Sequence, residues 1–320
     1  MRHVRGLNFG PIWGASGVQG FFGEGYAYHR LLRWLLPILF SFKGLTFVAK
    51  TTTYQARLGN MPLQESDGIT PKKFKPGCIV VMFWLGVALN AVGLSGPGAA
   101  ALFGKGLWQE RMGTFFISFM SVATTPDKRF DEFRHFVNML KAELPRFKGY
   151  PGLQINFSCP NVGLEIETLL SEVMTFLDLA MTLGIPIVLK FNTALPIELA
   201  KKICQHPACD GLCMSNTIPW KDFPENLRLR YFGTTTSPLE KLGGGGVSGA
   251  PLLPLVVDWV TQARAAGITT YINAGGGILH PRDVMALKAA GADSVFLGSA
   301  VFLRPWRVRA IIKTAHDLFF

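Results

Sequence analysis

Eight short runs of apolar and β-branched residues, at 11–16, 45–50, 115–121, 152–158, 186–191, 211–216, 270–274 and 294–297, alternate with segments of helical period. No other feature narrows the fold so far. Strands that are apolar almost throughout need cover on both faces, and parallel strands joined by crossover helices receive it. Eight strand-then-helix units in 320 residues predict an α/β chain closed as a (β/α)8 TIM barrel, in place of two open-sheet domains. The clearest helix follows Thr125 as cap and Pro126 as first residue, carries Phe130, Phe133, Val137, Leu140 and Leu144 in register, and should stop at Pro145. Gly184 and Gly267 close two others. Residues 51–107, rich in Gly, Pro and Asn, are too long for an ordinary loop and are expected as an insertion over the C-terminal face of a single barrel domain, 1–320.

Chemistry in such a barrel sits at the C-terminal strand ends. There the chain places Ala15, Ser16 and Gly17, then Lys50 and Thr51, then 156–161, then Lys190, then Ser215, Asn216 and Thr217. The last two strands end in 275–277 and in Gly298 and Ser299. The 35 glycines exceed the usual share of roughly 7%. Three glycine-rich stretches, 243–249, 275–277 and 298–299, read as turns that let backbone approach a ligand and aim N–H groups at a phosphate. Any one alone is an ordinary βα turn. Their joint position late in the barrel is what points to a phosphate.

Lys50 and Lys190 follow buried runs and suit either a cation facing an electron-rich ring or a Schiff-base amine; the plainer reading is a lysine reaching out of the barrel end. Asn90, Asn156, Asn161 and Asn216 offer donor and acceptor pairs to a ligand with amide edges, although each singly is a common turn residue. Cys159 follows a strand and could act as a base if its thiol is activated, against the commoner packed and inert cysteine.

Five cysteines at irregular positions make no disulfide framework and indicate a reducing, cytoplasmic compartment. Cys204, Cys209 and Cys213 have unsuitable placement for an iron–sulfur cluster, and the six histidines show no metal spacing, so no metal is expected. The first residues do not read as a signal peptide. The apolar stretch 31–42 is interrupted by Arg33 and falls short of the roughly 20 residues a bilayer span needs, so it is expected as one helix, buried or lying on a surface. With Arg30, Arg33 and Lys43 beside it, peripheral membrane contact is an option. The net charge of +11 suits an anionic ligand, a membrane surface or nucleic acid; no nucleic-acid motif is present, and nucleic acid is not expected as a partner.

Several ordered motifs together resemble the dihydroorotate dehydrogenase family, flavin enzymes of pyrimidine biosynthesis built on a (β/α)8 barrel. NFSCPN (156–161) is the sharpest, supported by KTTTYQARLGN (50–60), NAVGL (90–94), VLKFN (188–192), MSNT (214–217), GGVSG (245–249) and NAGGGI (273–278). The resemblance implies FMN as cofactor and dihydroorotate and orotate as ligands. It implies FMN contacts from Ala15, Ser16, Gly17, Lys50, Thr51, Asn156 and Lys190, and from Ser248, Gly249, Gly276, Gly277, Gly298 and Ser299. Lys50, Asn90, Asn156, Asn161, Asn216 and Thr217 would hold the pyrimidine.

Cys159 would be the base, which resembles the class 1 enzymes; class 2 members carry Ser there and membrane helices ahead of the barrel. The implied reaction removes a proton at C5 of dihydroorotate through Cys159 while hydride passes from C6 to flavin N5, with Lys190 stabilising the reduced flavin. The family also implies a homodimer. Two departures stand out: helix begins almost directly after NFSCPN, where the family has a longer loop, and Ser95-Gly96-Pro97 follows NAVGL. The alternatives are a flavin dehydrogenase for another pyrimidine or cyclic amide, and a Schiff-base phosphosugar lyase, which would have no use for four asparagines. The electron acceptor is open among fumarate, NAD through a separate subunit, oxygen and quinone.

Overall fold

The computed structural model describes residues 3–157 and 166–319. Its strands are β1 (Ile12–Gly14), β2 (Ile79–Met82), β3 (Val87–Asn90), β4 (Thr114–Phe119), β5 (Tyr150–Asn156), β6 (Ile187–Phe191), β7 (Gly211–Met214), β8 (Ile218–Pro219), β9 (Gly246–Gly249), β10 (Tyr271–Gly275) and β11 (Ser294–Leu297). The helices are α1 (Ala27–Leu35), α2 (Ala99–Gly104), α3 (Pro126–Glu143), α4 (Ile166–Met181), α5 (Ile197–Cys204), α6 (Glu225–Phe232), α7 (Leu252–Ala265), α8 (Pro281–Ala289), α9 (Ala300–Leu303) and α10 (Val308–Phe319).

Seven strands form one parallel sheet in the order β1-β11-β10-β7-β6-β5-β4. The gap between β1 and β4 is filled by residues 45–52. Thr46 exchanges backbone hydrogen bonds with β1 (Gly14 N to Thr46 O, 2.8 Å; Thr46 N to Ile12 O, 3.0 Å), and Ala49 N and Thr52 N donate to Phe116 O and Ser118 O of β4 at 2.9 Å each. These bonds supply the eighth parallel element and close the barrel.

The strand pattern has two readings because side chains alternate across the sheet. Phe115, Ile117, Leu153, Ile187, Leu189 and Leu212 point outward into the layer shared with the helices. Inward, Trp13, Val48, Phe116, Val188, Tyr271 and Phe296 fill the barrel together with Val4 and Phe9 from the N-terminal segment. The rings are stacked closely: Phe9 on Phe116 at 4.2 Å, and Trp13 against Phe116 at 4.6 Å. This aromatic filling is dry and lies below the polar strand ends. Phenylalanine also seats the outer helices, as where Phe133 of α3 stacks on Phe176 of α4 at 4.3 Å.

Helix limits follow local chemistry. Thr125 Oγ1 accepts from Lys128 N, Pro126 opens α3, and the helix gives way at Glu143 to a single tight turn containing Pro145. Gly184 and Gly267 adopt φ of +67° and +84° just beyond α4 and α7. The stretch 31–42 is not one helix: α1 starts earlier, at Ala27, and ends at Leu35, because Pro37 lacks an N–H and pushes Leu36 out of helical conformation (φ −130°, ψ 53°).

Residues 79–90 form the hairpin β2–β3, which pairs antiparallel with β9, itself paired with β8, into a second sheet of four strands. Part of the glycine-rich stretch 243–249 is therefore strand, not turn. Gly249 combines a φ of +102° with close packing on the Gly86 carbonyl, which leaves no room for a Cβ.

Because Phe116 is fully buried between Phe9 and Trp13, Phe116→Ala should lower unfolding free energy by about 3–5 kcal/mol, measured by urea denaturation, whereas exposed Phe74→Ala should be near neutral.

Candidate active site

A cavity of about 940 Å³ opens at the C-terminal ends of the barrel strands, between them and the small antiparallel sheet. The polarity of its floor follows from strand register. Asn156 of β5 pairs with Lys190 of β6, which pairs with Cys213 of β7, so these three side chains share the inward face one level above the aromatic filling. Phe296 of β11 brings its ring to 5.3 Å from Lys190 Nζ.

On one wall, Ser16 after β1, Thr51 and Ser118 of β4 form a relay of hydroxyls. Thr51 Oγ1 lies 2.7 Å from Ser16 Oγ and 2.9 Å from Ser118 Oγ, and Ser16 Oγ also donates to Ala49 O at 2.9 Å. Gly17 turns here with a φ of +89°, and its carbonyl accepts from Tyr26 OH at 2.6 Å. Lys50 is buried, donates to Ser95 O and lies 4.6 Å from the Phe21 ring. Burial pushes its ammonium pKa down to about 8, with Glu24 partly opposing. Burial lowers Lys190 in the same sense, against the pull of neighbouring Cys213. Cys213 is itself pushed up to about 11 by burial, so it is a neutral thiol.

The opposite wall carries amides. Asn216 Nδ2 donates to Asn156 Oδ1 at 2.6 Å, and Asn90 Nδ2 reaches Gly246 O at 3.3 Å. Thr217 lies beside Asn216, and Ser248 enters from β9, where its hydroxyl reaches Ala88 O at 3.4 Å. The late barrel turns complete the lining with Gly276, Gly277, Gly298 and Ser299. Gly277 has a φ of +80°, and a Cβ there would stand 2.7 Å from Leu253 N and 2.9 Å from Gly249 O. These glycines therefore hold backbone at the cavity wall where a side chain could not fit. The hydroxyl of Ser215, buried beside Gly276, has no hydrogen-bond partner among the described residues.

Sixteen positions singled out in the sequence thus line one cavity: Ala15, Ser16, Gly17, Lys50 and Thr51; Asn90 and Asn156; Lys190, Asn216 and Thr217; and Ser248, Gly249, Gly276, Gly277, Gly298 and Ser299. Cys159 and Asn161 lie outside the described residues. Sequence reasoning placed Ser215 at a polar strand end without giving it a role, and passed over Ser118 and Phe296. The inward alternation from Phe116 to Ser118 and from Ser294 to Phe296 was the available signal for these two.

Among the described residues no group of three His, Cys, Asp or Glu side chains could hold a metal ion. Cys213 points into the barrel while Cys204 ends α5, so the three clustered cysteines do not converge on one point.

The sequence model of the family described as dihydroorotate dehydrogenase matches residues 4–318. A dihydroorotate dehydrogenase A (fumarate) of Lacticaseibacillus paracasei is 31% identical over 315 residues, 96% of this chain and 92% of that one. The chain belongs to the dihydroorotate dehydrogenase family. The catalytic subunit of a dihydroorotate dehydrogenase B (NAD(+)) of Bacillus cereus is 28% identical over 95% of this chain and 86% of its own length. The fold is shared with dihydroorotate dehydrogenase of Eimeria tenella, solved in complex with ferulenol, at a TM-score of 0.66 and 18% identity over 99% of this chain and 86% of that one. These matches span nearly the whole of this chain.

The depressed Lys50 pKa has a consequence for stability. Between about pH 8 and 10.5 the unfolded chain holds the Lys50 proton more firmly than the folded one, so stability attributable to this group rises with pH across that window. In ligand-free protein, the stability of wild type relative to Lys50→Met should shift in favour of wild type from pH 8 to pH 10.5, by urea denaturation at each end.

Proposed function

We propose that this chain oxidises dihydroorotate to orotate in pyrimidine biosynthesis, with FMN as its cofactor, and that the cavity at the strand ends is the site. The observation that carries the reading is the convergence of three asparagines, two buried lysines and the late glycine turns on one cavity, in a chain matched to the family from residue 4 to 318.

The residues present fit FMN. Gly276, Gly277 and Gly298 with Ser299 supply a backbone wall for the phosphate, and the orphaned Ser215 hydroxyl adds a donor beside it. Ala15, Ser16 and Gly17 with Thr51, Ser248 and Gly249 line the remaining contact surface. FMN, when bound, supplies the hydride acceptor for C6 of the dihydropyrimidine.

The remaining chemistry is the protein's. Asn90, Asn156, Asn216 and Thr217, joined by Asn161, hold the amide edges of the pyrimidine and orient it. The 2.6 Å bond between Asn216 and Asn156 keeps that pair in one arrangement before substrate arrives. Each amide still has donor and acceptor capacity left for the ligand. Lys50 and Lys190 are buried, and the ammonium form of each gains from an adjacent negative charge. Their depressed pKa values record the cost of burying them without one. Cys159 is assigned as the base that takes the proton from C5 as a thiolate, and Lys50 and Lys190 favour the substrate carboxylate. A homodimeric assembly in the cytoplasm completes the proposal.

Purified protein should be yellow, and anaerobic dihydroorotate should bleach it. Cys159→Ala should retain the colour and lose bleaching by about 100-fold or more in rate, since a general base contributes 10²–10⁴. A colourless protein after expression with ample flavin would overturn the reading. Gly277→Val should lose flavin and unfold at lower urea than wild type, because its Cβ would meet backbone at Leu253 N and Gly249 O and force the cavity wall to move.

A further inference from the structure

The positive charge of this chain is not spread evenly. Residues 27–43, 71–94 and 300–316 together hold ten of its 32 Lys and Arg and none of its 21 Asp and Glu, so these three segments account for nearly all of the net +11. The fold brings part of each to one rim. Arg309 donates to Ile38 O at 2.8 Å, tying α10 to the turn after α1. Arg304 donates to Phe83 O at 2.7 Å and Trp84 O at 3.2 Å, and Trp306 packs on Phe83 at 5.7 Å, tying the same region to the β2–β3 turn. Arg30 at α1 and Lys72, Lys73 and Lys75 of the insertion border the mouth of the active-site cavity. Lys72 pairs with Glu65, but Arg30, Arg33, Lys73 and Lys75 have no carboxylate partner among the described residues.

The same rim is apolar. Four of the six most exposed large apolar side chains among the described residues lie in these segments: Trp84 (88%), Trp34 (77%), Ile38 (75%) and Phe74 (64%). No described helix is long and apolar enough to cross a membrane. An anionic small molecule would use the cations and leave two tryptophans and an isoleucine in water. A single-stranded nucleic acid would stack bases on the tryptophans but leave Ile38 in water. A surface of anionic lipid uses both, because headgroups neutralise the basic residues while Trp and Ile enter the boundary with the acyl chains.

We infer that this rim is a docking surface for an anionic membrane, with Trp34 and Ile38 on one side of the cavity mouth and Trp84 on the other entering the headgroup boundary. Docked in this way, the mouth opens onto the lipid surface. The inference does not rest on the catalytic reading, and vesicle binding tests it independently of turnover.

The test is co-sedimentation of the full chain with phosphatidylcholine vesicles carrying about one-third phosphatidylglycerol, compared with phosphatidylcholine alone. Binding to the anionic vesicles, release as NaCl rises to about 0.5 M, and a blue shift of tryptophan emission on binding are expected. Trp34→Ser with Trp84→Ser should weaken partition by about tenfold or more, while Met285→Ser, exposed on α8, should leave it unchanged. Neither tryptophan lines the cavity, and an unchanged far-ultraviolet circular dichroism spectrum and urea midpoint verify that the double variant is folded. Equal binding to neutral vesicles, no binding to either, or partition indifferent to the tryptophans would overturn the inference. So would self-association that the double variant abolishes in a protein that ignores vesicles, which would assign the rim to a second copy.

Discussion

The structure depends on the two-sided hydrogen bonding of residues 45–52. These residues bond to β1 through Thr46 and to β4 through Ala49 and Thr52, and so turn a seven-stranded sheet into a ring. Only a closed ring has an inside, and only an inside divides the alternating strand residues into a dry aromatic filling and a polar layer above it. The same segment then delivers chemistry at its upper end. Lys50 and Thr51 follow directly from the closing bonds, and Thr51 joins Ser16 and Ser118 so that hydroxyls from three adjacent elements share one chain of contacts. Closure and the site wall are one feature of the fold.

Closure also sets the electrostatics. Lys50 and Lys190 are buried at the wall of a space that Phe296 also lines, which limits the water that can solvate either side chain. At an effective dielectric constant near 20, a unit negative charge about 4 Å from such a cation is worth on the order of 4 kcal/mol. An anionic ligand therefore recovers energy that the empty cavity loses, and it raises both lysine pKa values toward normal as it binds. The ligand-free site is thus destabilised in the sense that selects for an anion, while the neutral asparagines opposite contribute orientation in place of charge.

Much of this could be read from sequence because barrel strands announce themselves by short apolar runs ending in polar residues. All eight runs occur in the ring, seven as regular strands and 45–52 as irregular bridging chain. What could not be read depends on contacts between distant residues. β8 is two residues long, and β9 is Gly-Val-Ser-Gly, which has the composition of a turn; both become strands only because the β2–β3 hairpin pairs with β9. Propensity carries no record of such a partner. Phe296 was missed for a related reason: its place in the cavity is decided by strand register, a property of the pair of strands. The break after Leu35 was visible in principle, since Pro37 stands in the sequence, but the apolar run around it masked the signal.

The distribution of charge separates two demands that a single net value conflates. The buried site uses two cations, Lys50 and Lys190, and neither lies at the surface. Exposed charges are screened over about 8 Å in physiological salt, so the rim's basic residues contribute little to the affinity of a ligand held at the strand ends. They can speed its approach, because a mouth of one sign concentrates anions before they bind. Steering alone, however, gives no reason for Trp34 and Trp84 to stand in water beside those cations, where each exposes a large apolar surface at a cost in solubility. Cations and aromatic side chains at one edge are favourable together where an anionic layer lies over an apolar one, and that is the order of layers in a bilayer surface.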